Sequence, residues 1–442
     1  MTTPILDFVR AYAASGTSRL HMPGHKGRGP LGCESVDITE IKGADDLSCP
    51  DGIIRESEAN AAELFGTRAT LYSAGGSSQC VKAMLLLCAR RSKSRKILAA
   101  RNVHKSFVYA CALLDLRPEW LYPAAEGSLC SCPITVAQLR ERLGGMSELP
   151  CAVYVTSPDY LGGMQDISAL AAVAHEFGVP LIVDNAHGAY LRFLAEDVHP
   201  ITLGADMCCD SAHKTFGVLT GGAYLHISRH SAWDFESDAR EALGAFGSSS
   251  PSYLIMSSLD AFNAQLAGDY PAELDRCVRV LNDLKADLRS DGVHVASSDP
   301  LRLTIEAYRS GYTGTELAEL LRKHDCECEF ADHDRLVCMF TPSNPLRDFE
   351  RVRTALAALE TRSAFAPLPA PEPAEVDITP RAAFLAPRET VPLERAVGRT
   401  VATAAVTCPP AVPIVVMGER ISAQHIQLMA EYGIESADVV IG

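Results

Sequence analysis

The stretch DISALAAVAHEFGVPLIVDN, residues 166–185, carries two periodicities in one short run. Ile167, Leu170, Ala171, Ala174 and Phe177 recur at helical spacing, with Asp166 placed as N-cap and Gly178 as the glycine just past the helix end. PLIVDN (180–185) then reads as a short apolar strand that ends on an aspartate. Working outward, KILAAR (96–101), CAVYVTS (151–157), ADMCCDS (205–211) and GGAYLHIS (221–228) read as further buried strands. Buried strands alternating with helices predict an α/β fold, a mostly parallel sheet with helices on both faces. In such sheets ligands gather at the carboxyl ends of the strands. Asp184, Ser211, His213 and Lys214 fall there.

With 442 residues, the chain is long enough for two or three structural domains. Its 47% hydrophobic and 21% charged content is that of an ordinary globular protein. No apolar run reaches the roughly 18–20 residues of a membrane span. The opening MTTPILDFVRAYAASG lacks a basic region and is interrupted by Asp7 and Arg10, so no signal peptide is expected. The 15 cysteines are odd in number and form no C-x-x-C pair. Cys130/Cys132, Cys208/Cys209 and Cys326/Cys328 are too close for the usual zinc spacings, so no metal site is expected. Reduced thiols used as small hydrophobes fit a reducing cytoplasm. A net charge of −15 argues against a nucleic-acid partner and is compatible with a cationic substrate. Farther along, PLRLTIEA (300–307) and RLVCMF (335–340) suggest strands of a smaller α+β domain. AFAPLPAPEPAEVDITP (364–380) reads as an extended excursion, and CPPAVPIVVMGE (408–419) is a second proline-rich piece.

Lys214 lies in CCDSAHKTFG (208–217), leaving a buried strand beside a hydroxyl and an imidazole. Lysines usually occupy solvated faces. An amine that attacks a carbonyl must first lose its proton, which desolvating or cationic neighbours allow. A lysine that anchors pyridoxal phosphate also needs a phosphate holder, a carboxylate that keeps the pyridine nitrogen protonated, and a cover for the ring face. YSAGGSSQCVKAMLLLCAR (72–90) places Gly75, Gly76, Ser77 and Ser78 at a helix start, where N–H groups and the dipole bind phosphate. Asp184 ends an apolar strand, where a carboxylate is costly unless paired. RNVHKSF (101–107) offers His104, flat enough to stack on a ring. Each feature alone also fits a loop lysine, a capping aspartate, an ordinary turn or a core histidine. Their order and shared strand-end placement favour the cofactor.

Read together, HMPGHKG (21–27), DITEIKGADDLSCPDGII (37–54), RNVHKSF, DNAHGAY (184–190), DSAHKT (210–215), SSSPSYLIMSSLD (248–260) and PPAVPIVVMGE (409–419) resemble the Orn/Lys/Arg decarboxylase family of fold-type I pyridoxal-phosphate enzymes. The short biosynthetic type is the better match, since the long N-terminal extension of acid-stress members is not seen. The resemblance implies an N-terminal segment (1–55) that contributes to the active site and the dimer interface. An aspartate-aminotransferase-like cofactor domain (56–285) would follow, then a small C-terminal domain (286–442) bearing the 364–380 excursion. It also implies decarboxylation of arginine, lysine or ornithine by a cytoplasmic homodimer, or a higher even-numbered assembly, with shared active sites.

Residue by residue, the resemblance makes Lys214 the cofactor's anchor and Asp184 the partner of the pyridine nitrogen. His104 would stack on the ring with Ala186 beneath it, and His187 would sit near the phenolic oxygen. Ser77, Ser211 and His213 would hold the phosphate with the Gly75–Ser78 turn, and Ser248 and Ser249 would reach a neighbouring subunit's phosphate. His25, Asp46 and Glu419 are the substrate-side candidates, with Asp45 a further acid in the same segment. Departures from the family pattern are Gly76 for a frequent threonine, Ser48 for histidine, Asn185 for glutamate, Tyr190 for histidine, Ala411 for glycine and Met417 for proline. Two rival readings remain. DNAHG also resembles the D-E-A-H-G of α-oxoamine synthases, and a cofactor-binding but inactive regulatory subunit would tolerate the departures.

Overall fold

The computed structural model describes residues 1–123, 128–296, 298–357, 359–360, 362–404 and 410–442. Cys408 and Pro409, which open the second proline-rich piece, lie outside the described residues. The larger sheet has seven strands: β1 (Ala69–Ser73), β2 (Lys96–Ala100), β3 (Arg117–Leu121), β4 (Val153–Thr156), β5 (Leu181–Asp184), β6 (Met207–Asp210) and β7 (Ala223–Ile227). Their order is β1-β7-β6-β5-β4-β2-β3. The sheet is mostly parallel, as the sequence predicts; β2 runs with β3 and β5 with β6. Strand β7 is antiparallel to both β6 and β1. The reason is the connection: between β6 and β7 the chain makes only the one-turn helix Ala212–Thr215, too little for a parallel crossover.

The opening stretch folds as its pattern dictates. The helix Ile167–Glu176 buries Ile167, Leu170, Ala171 and Ala174. Gly178 takes φ +67° and donates its N–H to the His175 carbonyl, which closes the helix end. In β5, Leu181, Ile182 and Val183 are fully buried, each contributing about 1.5–3 kcal/mol. That burial holds the strand whose last residue is a carboxylate. Strand β3 escaped the sequence reading because RPEWL carries a proline and a glutamate, tolerable only on the half-exposed edge where it lies.

The chain forms two compact units. One comprises residues 1–93, 151–153 and 167–272, the other 94–150, 154–166 and 273–442. This division differs from the expected 56–285 and 286–442. Leu129, Cys130 and Leu161 share a buried core with Phe330, Val337, Val391 and Val439. Such a core joins segments far apart in the chain, and a boundary drawn along the sequence cannot anticipate it. The second unit has a four-stranded antiparallel sheet of β8 (Val295–Ala296), β9 (Arg302–Glu306), β10 (Phe330–Ala331) and β11 (Arg335–Met339), in the order β10-β11-β9-β8. A two-stranded ribbon of β12 (Arg388–Pro392) and β13 (Ser436–Val440) completes its strands. The expected excursion is irregular apart from one bridge at Val376, until Thr379 caps the helix Pro380–Leu385. All cysteines among the described residues are free thiols, and no described helix is long and apolar enough to cross a membrane.

Candidate active site

Parallel pairing sets Asp184 opposite Cys209, so the ends of β5 and β6 stand side by side in the first unit. The segments that leave them, 185–188 and 211–215, turn within a few residues. Gly188 N–H donates to the Asn185 carbonyl at 2.8 Å, and Ser211 precedes the helical turn that carries Lys214. Lys214 leaves the strand as the sequence indicates and lies in that single turn, its N–H donating to the Ser211 carbonyl at 3.0 Å. The turn aims its side chain at the neighbouring strand end, where Nζ lies 2.9 Å from His187 Nε2. Asp184 is 3% exposed and its Oδ1 accepts from the Ala186 N–H at 3.1 Å and the Cys209 thiol at 3.6 Å. Ala186 is buried beside it. The structure thus brings together Lys214, Asp184, Ala186 and His187, four of the sequence-predicted residues.

A second grouping forms where β1 meets its helix. Ser211 Oγ donates to Ser77 Oγ at 2.7 Å, at the first turn of the helix Gly76–Arg91. Gly76 takes φ +71°, and a Cβ added there would meet nothing within 4 Å. The space is open, but the backbone disfavours the threonine frequent in the family. Two expected donors are already engaged. Gly75 N–H donates to Ser73 Oγ at 3.1 Å and Gly76 N–H to the Gly221 carbonyl at 2.8 Å. The amides left to an anion are therefore those of Ser77 and Ser78, in a turn where helical geometry provides no partner. His213 Nδ1 donates to the Gly222 carbonyl at 3.0 Å, and burial pushes its pKa down. Its Nε2 is then an acceptor, and the ring can serve a phosphate only when protonated. Ser248 and Ser249 lie exposed, with Ser248 Oγ accepting from the Ser250 N–H.

The remaining candidates have structural partners. In the second unit, His104 caps the helix Lys105–Leu114, its Nδ1 accepting from the Ser106 N–H at 3.2 Å and hydroxyl at 2.8 Å. Glu419 is 2% exposed and accepts from Trp120 Nε1 and the Val416 N–H, both at 2.8 Å, with Arg101 at 3.7 Å. This carboxylate serves a buried ion pair with Arg101. Asp45 is also structural, accepting from the N–H groups of Asp46, Asp51, Gly52 and Ile54 at the start of the helix Ile53–Phe65. Burial pushes its pKa up, but these amides outweigh it and hold it below the usual range. His25 Nε2 donates to Asp37 at 3.1 Å, while Asp46 is exposed and accepts from the Ser48 N–H at 2.7 Å.

Sequence reasoning missed a buried cluster behind the lysine turn. Asp210 is fully buried and accepts from His199 Nε2 at 3.0 Å, His226 Nε2 at 3.2 Å and Asn185 Nδ2 at 2.6 Å. Burial pushes the Asp210 pKa up, but the two imidazoles hold it below the usual carboxylate range. His199, Cys208 and Asp210 bring potential metal-ligand atoms within 4.8 Å of one another. Hydrogen bonds already serve that carboxylate, and burial pushes the Cys208 thiol pKa up, so the cluster reads as a proton-satisfied network. The Asn185–Asp210 bond gives one departure a physical reason, because a glutamate at 185 would face a buried carboxylate.

The family model for the Orn/Lys/Arg decarboxylase major domain matches residues 3–308, and that for the C-terminal domain matches residues 361–432. An arginine decarboxylase of Bacillus subtilis is 29% identical, over 96% of this chain and 92% of its own length. Among solved structures, the Francisella novicida lysine decarboxylase LdcF superposes with a TM-score of 0.82 at 18% identity, over 99% of this chain and 81% of that one. The Escherichia coli constitutive lysine decarboxylase gives 0.79 at 18%, over 99% and 80%. The donor set suits pyridoxal phosphate: an amine beside an imidazole, a buried carboxylate on the adjacent strand, and an open space at Gly76 beside two hydroxyls and a helix start. The chain belongs to the Orn/Lys/Arg decarboxylase family and is a pyridoxal-phosphate-dependent amino-acid decarboxylase.

Proposed function

We propose that the chain decarboxylates a basic amino acid, with arginine the first choice and lysine and ornithine the alternatives. The observation that carries this reading is the approach of Lys214 Nζ to His187 Nε2, 2.9 Å, beside the buried Asp184. The names of the curated relatives that span nearly the whole chain support arginine, and a net charge of −15 suits a cationic substrate.

Pyridoxal phosphate, when bound, supplies an electron sink for the pair released as the bond to the α-carboxylate breaks. Lys214 is the residue we assign to anchor it. His187, at hydrogen-bond distance from Nζ, is placed to orient the amine and to exchange a proton with it. Asp184 would pair with the ring nitrogen and keep it protonated, its Oδ1 held in place by the Ala186 amide and the Cys209 thiol. Ser77, Ser78 and Ser211 hold the phosphate by hydroxyl and amide donors at a helix start. His104 keeps the ring-face role that the resemblance implies, its orientation fixed through Nδ1 by Ser106. Ser248 and Ser249, exposed, are assigned to a neighbouring subunit's site in a homodimer. With Glu419 committed to Arg101, the substrate's basic group falls to Asp46 and the His25–Asp37 pair.

The test is release of CO2 and amine from arginine, lysine and ornithine by purified protein with added pyridoxal phosphate. Release from one of the three, dominated by arginine, is expected. No release from any, with the cofactor visibly bound, would overturn the reading and favour another reaction at the same site.

A further inference from the structure

The second unit carries a cavity of about 580 Å3 that the chemistry above leaves unused. That volume is within the range of small-molecule sites. Residues of β8, β9 and β11 line one side and Pro367–Ala370 of the proline-rich excursion line another. Leu368 N–H donates to Asp334 Oδ2 at 2.7 Å, and Phe365 N–H to the Tyr308 carbonyl at 3.2 Å. The excursion is therefore fastened down as a wall.

The polar lining is unevenly satisfied. Arg335 on β11 stands directly opposite Glu306 on β9, so both side chains share one face of the sheet. Each takes another partner: Arg335 Nη1 meets Asp334 at 3.5 Å, and Glu306 meets Arg309 at 2.9 Å. The Arg335 side chain is 14% exposed; its guanidinium lies over the Tyr308 ring at 5.7 Å and makes one long contact to Asp334, which leaves N–H donors for a carboxylate. Ser128, also in the lining, has a buried hydroxyl without a hydrogen-bond partner. A buried hydroxyl of this kind is satisfied by a water or by a polar atom of a bound molecule.

We propose that this cavity binds a free amino acid as its zwitterion, the carboxylate on Arg335 and the Ser128 hydroxyl, the ammonium toward Glu306. Charge complementarity selects this class. A bare anion would meet the Glu306 carboxylate, and a bare amine would meet the Arg335 guanidinium. The site lies within the second unit and does not depend on which amino acid is decarboxylated.

Nuclear magnetic resonance titration of the holoenzyme with isotope-labelled L-alanine, acetate and methylamine tests it. L-alanine should broaden on the wild type, with binding about tenfold weaker in Arg335→Gln and about threefold weaker in Ser128→Ala. Decarboxylation of the basic amino acid should stay within about twofold in both variants, and acetate and methylamine should bind about tenfold more weakly than alanine. Should Arg335→Gln fail to fold, Ser128→Ala carries the test. Equal alanine binding in wild type and variants, no binding at all, or acetate binding as tightly as alanine would overturn the proposal.

Discussion

Two shielded lysines, one in each unit, separate what burial does from what a site does. Lys285, on the helix Tyr270–Ser290, is 4% exposed; its Nζ donates to the Asp299 carbonyl at 3.1 Å, and burial pushes its pKa down to about 8. Lys214 is half-buried, yet its amine lies 2.9 Å from an imidazole, on a turn that also offers Ser211 to Ser77. By burial alone Lys285 is the more activated amine. What marks Lys214 is the company of an imidazole, a carboxylate and hydroxyls, delivered by the neighbouring ends of β5 and β6 and by the helix that follows β1. A lysine becomes chemical through its neighbours, and desolvation by itself only shifts its titration.

Substitutions can sharpen or break that contrast. Lys214→Ala should remove the visible absorbance of the bound cofactor and lower turnover by at least about 10³-fold, read by spectroscopy and CO2 release. Asp184→Asn should retain the cofactor but lower turnover by about 10²-fold or more; near-normal activity would assign the protonation role elsewhere. Ser77→Ala and Ser211→Ala should each weaken cofactor affinity by roughly five- to tenfold. Because the two hydroxyls bond to each other, the double variant should lose less than the product of the two.

The smallest effects belong to Lys285. Lys285→Met should leave turnover within about twofold, since a methionine of similar length fills the same space. Between pH about 8 and the ordinary lysine value of 10.5, the unfolded chain binds more protons than the folded one. Wild-type stability against denaturant should therefore rise across that window relative to Lys285→Met. A flat difference would show that burial does not shift this amine.

Much of this was legible in the sequence because the larger sheet is built from local signals. KILAAR, CAVYVTS, PLIVDN, ADMCCDS and GGAYLHIS each contain a strand, and the residues that follow PLIVDN and ADMCCDS place Asp184, His187 and Lys214 at strand ends. What the sequence could not show depends on contacts across long separations. Glu419 reads as a loop acid until Arg101 and Trp120, some 300 positions earlier, close on it. Likewise Asn185 reads as a departure until Asp210 appears as its acceptor, and the turn glycines read as donors until Ser73 and Gly221 occupy them. Burial patterns are local, whereas the partner of a buried polar group is decided by the whole fold.

The central claim is that Lys214, and no other lysine, holds the cofactor. Borohydride reduction of the loaded enzyme, followed by peptide mapping, tests it most directly. The account predicts a pyridoxyl group on the peptide carrying Lys214 and an unmodified Lys285. Modification of Lys285 or another lysine, with Lys214 untouched and decarboxylation intact before reduction, would contradict it.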